Sequence, residues 1–237
     1  MCGRFTLAKE EDELLERFDA IGLSFPYVPR YNIAPRQWVT AVLRKDGVNR
    51  IGQLQWGLLP PWAKDERMAS QLLNAKAETI REKPSFRKAY LSKRCLIPAD
   101  GFYEWKLTPR GKQPMRIQLK DRGIFSMAGL YEFWKDPNMP DRQAIATCTV
   151  ITTTPNRLME GIHDRMPVIL SREDEHRWLD RHEDPDLLYQ LLRPYPAEDM
   201  IAYPVSKLVG NVKNELPECI DEMSHEYGDV DEEPTLF

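Results

Sequence analysis

The spacing of apolar residues predicts a helix near the start of the chain and strands through its middle. In residues 6–22 the apolar positions recur at helical spacing, and they are Leu14, Leu15, Phe18 and Ile21. Gly22 is the expected end of this helix. β-rich stretches follow at Val39–Leu43, Ile51–Trp56, Arg94–Ile97, Met115–Leu119, Phe125–Tyr131 and Ala144–Thr153. Helical patterns return in residues 171–180, where Ser171 is an expected N-cap, and in residues 184–193.

Residues 1–214 contain no linker, repeat or low-complexity tract that would divide them. Strands outnumber helices in the middle of this stretch, and proline-punctuated turns separate several of the elements. We therefore expect one α+β domain over residues 1–214, with a curved, mainly antiparallel, barrel-like β core flanked by helices and long functional loops. Residues 215–237 are expected to form an acidic, disordered tail.

The charge is distributed unevenly along the chain. The net charge is −4, but residues 215–237 hold nine Asp or Glu and no Lys or Arg, so residues 1–214 carry +5. Within residues 64–94, nine Lys or Arg stand against four Asp or Glu, and Phe86 and Tyr90 lie among them. Basic residues interleaved with aromatic rings can follow a phosphate backbone and hold unstacked bases. The alternative is an ordinary solvated surface.

Composition argues against several classes of protein. No apolar run reaches the roughly eighteen residues that a membrane helix needs, and the start lacks a secretory signal, so we expect a cytoplasmic protein that binds no membrane. The cysteines form no CxxC pair and are expected to be reduced. The four histidines show no ligand spacing with one another or with the cysteines. We expect neither a metal nor a cofactor.

The chain begins MCGRFTL, with a cysteine at the second position. An initiator Met before a small residue is commonly removed, and its removal would leave Cys2 with a free α-amine beside its thiol. The alternative interpretation is an ordinary cysteine in a frayed terminus.

Polar residues packed among Gly, Pro and aromatics mark four stretches as candidate functional loops: YNIAP (31–35), NAKAET (74–79), PADGFYEWK (98–106) and GIHDRMPVIL (161–170). Asn74 offers an amide, Glu104 a carboxylate and His163 an imidazole. Each has a structural alternative. Asn74 could cap a helix, Glu104 could face solvent from an alternating strand, and His163 could be a loop histidine beside an Asp164–Arg165 ion pair.

Taken in order, MCGRF, YNIAP, WGLLPPW, NAKAET, PADGFYEWK, HDRMPVIL and VSKLVGNVKN resemble the SRAP (SOS response-associated peptidase) family of abasic-site processing proteins. The resemblance covers residues 2 to about 214, and a colinear series of blocks is far more specific than any one block. It implies a DNA-repair protein, expected to be a monomer, that captures abasic sites in single-stranded DNA covalently. The capturing residue would be Cys2, made N-terminal by removal of Met1.

The resemblance also implies roles for individual residues. Glu104 would move protons at the α-amine and at the sugar ring oxygen, and His163 would act as a second acid–base group. Asn74 would hold the lesion and the reactive terminus. With Cys2, these form the expected catalytic set.

A second set is expected to contact DNA. Arg4 and Lys76 would meet phosphates, while Trp105 and Pro35 would press on the unstacked nucleotide. The remaining members are Phe86 from the basic stretch and the hydroxyl groups of Thr152, Thr153 and Thr154. Position 76 is often arginine in the family, and lysine keeps the charge but loses the planar fork.

Two other functions remain open at this point. A terminal cysteine near a carboxylate and a histidine could act as a thiol peptidase that cuts after its own Met1, or support a lyase-type activity. A non-catalytic reader of single-stranded or modified DNA, in which Cys2 is incidental, is the third possibility.

Overall fold

The computed structural model describes residues 2–20, 22–23, 25–139 and 141–223. In this part of the chain the strands are β1 (Phe5–Leu7), β2 (Arg30–Ile33), β3 (Trp38–Lys45), β4 (Val48–Trp56), β5 (Asn74–Lys76), β6 (Arg94–Ala99), β7 (Gly101–Thr108), β8 (Gly111–Leu119), β9 (Phe125–Trp134), β10 (Ile145–Thr153), β11 (Met166–Pro167), β12 (Ile169–Leu170) and β13 (Met200–Pro204). The α-helices are α1 (Glu11–Phe18), α2 (Arg87–Ser92), α3 (Arg157–Glu160), α4 (Arg172–Leu179) and α5 (Pro185–Gln190). Short 3₁₀ helices cover Glu66–Gln71, Ala77–Thr79, Ala197–Asp199, Lys207–Gly210 and Pro217–Cys219.

Five strands close into a barrel in the order β10, β4, β3, β6 and β9, because β9 pairs back onto β10. The β10–β4 contact is parallel and the other contacts around the ring are antiparallel. Gly129 pairs with Cys95 of β6 and with Val150 of β10. A Cβ at this position would lie 2.9 Å from the Cys95 sulfur, so only glycine fits this point of closure. The α+β class and the barrel-like core are confirmed.

A second sheet, in the order β13, β8, β7, β1 and β2, lies against the barrel. Phe5 of β1 packs edge-on against Trp56 at the end of β4, with ring centroids 5.3 Å apart. Both rings are fully buried, and burial of aromatic surface of this size is a major source of stability. The packing places Cys2, three residues before Phe5, beside one end of the barrel.

The predicted strands are confirmed as parts of β3, β4, β6, β8, β9 and β10. Ser171 caps α4 as expected, since its hydroxyl oxygen accepts a hydrogen bond from the Asp174 N–H at 3.1 Å. The first helix is shorter than predicted: it begins at Glu11, and Asp19 ends it in the left-handed region at φ 48°. Residues 5–7 are strand because β1 pairs with both β2 and β7. Ile21 lies outside the described residues.

The first part of the predicted tail packs onto the domain. The Glu215 carboxylate accepts hydrogen bonds from the Asn32 backbone N–H at 2.7 Å and from the Arg30 guanidinium. Cys219 is fully buried, and Glu222 forms a β-bridge with Val205. Residues 215–223 therefore belong to the folded body, contrary to the expectation for them, and residues 224–237 lie outside the described part of the chain.

Candidate functional site

Four chain segments meet at the end of the barrel beside the N-terminus. Cys2 precedes β1, and β1 pairs with β7, which carries Glu104. Asn74 starts β5, which pairs in parallel with the end of β10, and His163 lies in the connection from β10 to β11. Strand pairing thus brings together residues far apart in sequence, as the predicted catalytic set requires.

Asn74 fixes the backbone at the start of the described chain. Its side-chain amide donates a hydrogen bond to the carbonyl oxygen of Cys2 at 2.9 Å. Asn74 begins a strand, so the helix-cap alternative is wrong. Its Oδ1 is buried and has no hydrogen-bond partner among the described residues, so it can accept a bond from an incoming group. Cys2 is 1% exposed, and burial raises the pKa of its thiol.

Glu104 is buried, with 2% of its surface exposed, so the alternative of a solvent-facing strand residue is wrong. The strand does not alternate here, because Tyr103 on its opposite face is covered by Val205 and Val209. Burial raises the pKa of the Glu104 carboxyl to about 8, and the nearby Asp164 charge acts in the same direction. The carboxyl is therefore mostly protonated at neutral pH, and its Oε1 has no partner among the described residues.

His163 faces Glu104, with 3.7 Å between Nε2 and Oε2. This is longer than a hydrogen bond, but an atom placed to one side can reach both groups. Two groups meet His163 Nδ1: the Arg165 backbone N–H donates to it at 3.1 Å, and an Asp164 carboxylate oxygen lies 3.0 Å from it. The first contact favours a proton on Nε2, toward Glu104, and the second favours a proton on Nδ1. Burial lowers the pKa of His163, so the neutral ring is favoured.

Glu78 and Arg165 form an ion pair behind the histidine, and Glu78 is not among the site residues expected from the sequence. The Arg165 guanidinium makes two hydrogen bonds to the Glu78 carboxylate, at 2.7 and 3.0 Å. It also donates to the carbonyl oxygen of Thr152 at 2.6 Å. The proposed Asp164–Arg165 pair is therefore replaced by a Glu78–Arg165 pair that joins two loops. The only signal in the sequence was the place of Glu78 within NAKAET.

A model of the SOS response associated peptidase (SRAP) family matches residues 1–212. The chain belongs to the SRAP family. It is 54% identical over 226 residues to the abasic site processing protein YoqW of Bacillus subtilis (strain 168), covering 93% of this chain and 99% of that protein. It is 32% identical to the abasic site processing protein HMCES of Xenopus tropicalis, covering 84% of this chain and 68% of that one. A crystal structure of a protein from Bacteroides thetaiotaomicron matches with a TM-score of 0.82 and 29% identity, over 94% of this chain and all of that chain.

The SRAP domain presents some of the expected DNA contacts at its surface. Lys76, in the strand after Asn74, is exposed, as is Thr154 just beyond β10. Trp105, next to Glu104, and Pro35 are half-buried. Each of these four residues either neighbours a residue of the Cys2 site in sequence or follows a strand that pairs with a strand of the site.

Arg4 is built into the SRAP domain. It is 8% exposed, and its Nη1 donates to Asn32 Oδ1 at 2.7 Å and to the Val209 carbonyl at 2.6 Å. The guanidinium carbon lies 5.8 Å from the centre of the Trp105 ring. An arginine held this way orients its aromatic neighbour, and we assign it that role instead of an open phosphate contact.

Three other expected DNA contacts are not at the surface. Phe86 is 2% exposed and packs in the main core as the residue just before α2, whereas Lys83, Arg87 and Lys88 beside it are exposed. Thr152 and Thr153 are 3% and 4% exposed. The Thr153 hydroxyl donates to the Leu192 carbonyl at 3.4 Å. None of these three side chains is available to a strand of DNA in this structure.

The described residues contain no cluster of three or more His, Cys, Asp or Glu that could hold a metal ion. In the same part of the chain, no helix is long and apolar enough to cross a membrane. The cysteines at positions 2, 95, 148 and 219 are free thiols.

Proposed function

We propose that this SRAP protein captures abasic sites in single-stranded DNA as a covalent adduct on Cys2, once Met1 has been removed. One observation supports this most strongly: Asn74 holds the Cys2 backbone beside a buried, mostly protonated Glu104 and a neutral His163. The relatives named abasic site processing proteins support the choice of lesion. Capture would shield the sugar from strand cleavage.

The first nucleophile in this proposal is the α-amine of Cys2. An abasic deoxyribose exists partly as a ring-opened aldehyde at C1′, which an amine can attack. An α-amine with a pKa of about 7.7–8.0 is neutral in a substantial fraction of molecules at pH 7, whereas a lysine near 10.4 is almost entirely protonated. The terminal amine therefore has an advantage of about two orders of magnitude over an unperturbed lysine.

The thiol of the same residue completes the adduct. Attack of the amine on C1′ gives a carbinolamine, and loss of one water gives an imine. The Cys2 sulfur then adds to C1′, its proton ends on the ring nitrogen, and a five-membered thiazolidine closes. The sum is one C–N bond and one C–S bond formed, with one water released. Only a terminal cysteine offers both nucleophiles, and their proximity gives the second step a high effective molarity.

Glu104 and His163 would handle the protons. A Glu104 carboxyl with a pKa of about 8 can give its proton to the ring oxygen or to the departing water and take one from the amine. His163 Nε2 faces the same region, and in the tautomer that carries its proton on Nε2 it would donate a hydrogen bond to the opened sugar. The same groups acting in reverse would release the adduct.

The surface around the site suits an unstacked strand. Lys76 would meet a phosphate, Thr154 would offer a hydroxyl to the backbone, and Trp105 with Pro35 would press on the flipped nucleotide. Arg4 would keep the Trp105 ring in place.

The test is incubation of the protein with a single-stranded oligonucleotide that contains one abasic site. We expect a heat-stable adduct whose mass equals protein without Met1 plus DNA minus one water. The adduct should be absent in Cys2→Ala and with intact DNA, and it should persist in Cys219→Ala, which removes a different buried thiol. Equal non-covalent retention of the oligonucleotide by wild type and Cys2→Ala would refute capture and favour a non-catalytic reader.

A thiol peptidase that removes its own Met1 is a second candidate. The Glu104 carboxyl lies close enough to Cys2 for its charge, when ionised, to raise the pKa of the thiol, which supports a role for this carboxyl near the bond that would be cut. Intact mass measurement after synthesis in a system without methionine aminopeptidase tests this idea. Self-processing predicts loss of Met1 in wild type and retention in Glu104→Gln, while retention in both would exclude it.

A further inference from the structure

A cleft of about 1120 Å³ opens on the barrel, away from the Cys2 site. Its walls come from the β3–β4 hairpin, the last part of β9, and α4 with the segment after it. The indole N–H of Trp56, at the far end of β4, donates a hydrogen bond to the carbonyl oxygen of Leu73, the residue before Asn74. Trp56 therefore lies near the Cys2 site. Arg50 of the cleft lies six residues earlier on the same strand, a distance of about 20 Å.

The cleft carries cations that the protein leaves unneutralised. Five cationic residues and three carboxylates line it: Arg44, Lys45, Arg50, Arg177 and Arg181, with Asp46, Asp180 and Glu183. Of these five cations, only Arg177 forms ion pairs with described residues, with Glu183 at 3.0 Å and with Asp174 at 4.0 Å. Lys45 and Arg50 are exposed and have no hydrogen bond or ion pair from their side chains in that part of the chain. Positive charge without a partner on a concave surface attracts anions.

An aromatic ring stands beside these cations. Phe133 is 54% exposed although it belongs to a barrel strand, and it is among the residues that line the cleft. Its ring lies edge-on to Tyr131, with centroids 5.7 Å apart and planes at 82°. The Tyr131 hydroxyl in turn accepts a hydrogen bond from Arg181. A held aromatic ring with an open face is suited to stacking on a base.

Cations together with an open aromatic ring match the chemistry of single-stranded nucleic acid better than that of a small anion. A phosphate alone needs only the charges, whereas a strand offers phosphates and bases at regular spacing. We propose that this cleft binds an undamaged stretch of the same DNA strand, with Lys45 and Arg50 on phosphates and Phe133 stacked on a base. The proposal rests on the proposed function, because that function brings a single strand to the neighbouring site.

The length of the strand provides the test. At about 3.4 Å per stacked nucleotide, and about twice that in an extended strand, 20 Å corresponds to about three to six nucleotides. An abasic oligonucleotide with flanks of about one nucleotide cannot reach the cleft, whereas flanks of about fifteen can. We expect wild type to bind the long oligonucleotide more tightly than the short one at low salt, and to form the adduct with both.

Substitutions in the cleft should remove only the tighter binding of the long oligonucleotide relative to the short one. Lys45→Ala with Arg50→Ala should weaken binding of the long oligonucleotide about tenfold and lower the salt slope by about 1.4, the value for two single-strand phosphates. Phe133→Ala should weaken it about tenfold, and Phe133→Tyr should restore it. Adduct formation on the short oligonucleotide should not change in any of these. Lys120→Ala, an exposed cation outside the cleft, should behave as wild type on both lengths.

Several results would overturn the inference. Equal binding of long oligonucleotide by wild type and the cleft variants means that the cleft is an ordinary solvated surface. If the cleft variants no longer form the adduct with the short oligonucleotide, these substitutions act on the Cys2 site and not on the cleft. If the cleft binds deoxyadenosine monophosphate as tightly as it binds the long oligonucleotide, it is a site for a single nucleotide and not for a strand. If no oligonucleotide forms an adduct with wild type but the long oligonucleotide still binds more tightly than the short one, the proposed function is wrong. That result would still support binding of single-stranded DNA in the cleft.

Discussion

The side-chain amide of Asn74 donates a hydrogen bond to the carbonyl oxygen of Cys2 across 2.9 Å, although the two residues lie 72 positions apart. The bond ties the first described residue of the chain to a strand that pairs with the barrel. A chain terminus is ordinarily mobile unless it is held in this way. For a reaction at the terminus itself, the position of Cys2 depends on this bond.

Asn74→Ala should therefore slow adduct formation more than it destabilises the fold. We expect the single-turnover rate to fall by about a hundredfold, because a misplaced nucleophile loses its effective molarity. The free energy of unfolding should fall by only about 1–2 kcal/mol for one lost hydrogen bond. Rapid-quench gels and urea denaturation would measure the two quantities.

Asn49→Ala is the matched control. Asn49 also donates through its amide to a backbone carbonyl, that of Phe18 at 2.8 Å, and its Oδ1 is likewise buried without a partner among the described residues. We expect a similar loss of stability with an unchanged rate. Equal slowing by both variants would mean that the effect of Asn74 is a general loss of stability.

The rate of adduct formation should have a maximum near pH 8. The rate rises as the α-amine loses its proton at about pH 7.7–8.0. It falls again when Glu104, whose pKa burial raises to about 8, loses the proton that it must donate. Glu104→Gln should lower the rate at neutral pH and remove this fall on the alkaline side, while affinity for intact single-stranded DNA stays nearly constant. A large loss of that affinity would assign Glu104 a structural role.

Glu78→Ala should slow adduct formation through His163. Without its carboxylate partner the Arg165 guanidinium keeps only its bonds to Thr152, and the Arg165 backbone N–H that bonds to His163 Nδ1 is held less firmly. We expect a rate loss of about tenfold, with Glu78→Gln in between, because one acid–base group is misoriented and not removed. Asp186→Ala breaks an exposed pair with Arg81 at 2.7 Å and should leave the rate unchanged. An unchanged rate in Glu78→Ala would show that Arg165 stays in place without it.

Glu215→Ala should destabilise the fold, although the sequence places this residue in an acidic tail. The backbone N–H groups of Tyr31 and Asn32 and the Arg30 guanidinium all lose their acceptor. We expect a loss of about 2 kcal/mol and a fall in Tm of about 4–8 °C. Glu218→Ala, which removes an exposed charge nearby, should leave Tm within about 1 °C of wild type. Equal Tm values for the two variants would contradict a structural role of Glu215.

The elements that the sequence predicted well are those in which a residue's environment depends on its neighbours in the chain. The apolar periodicity of β3, β4 and β9 and the cap at Ser171 are local patterns, and the structure has them. The predictions that were wrong concern contacts between residues far apart in the chain. Phe86 looked like a surface ring because the residues beside it are charged, but its ring packs in the main core. Burial depends on which side of the element meets the rest of the protein.

The sequence by itself determined the α+β class, the order of the SRAP motifs and the residue types available for chemistry at Cys2, Asn74, Glu104 and His163. Only the tertiary structure decided that Glu104 is buried, that Arg165 pairs with Glu78, and that Glu215 anchors Arg30. The physical reason is that a pKa shift and a hydrogen-bond partner arise from atoms within a few ångströms in space. In this protein those atoms come from strands and loops tens to hundreds of residues apart, which pairing around the barrel brings to one place.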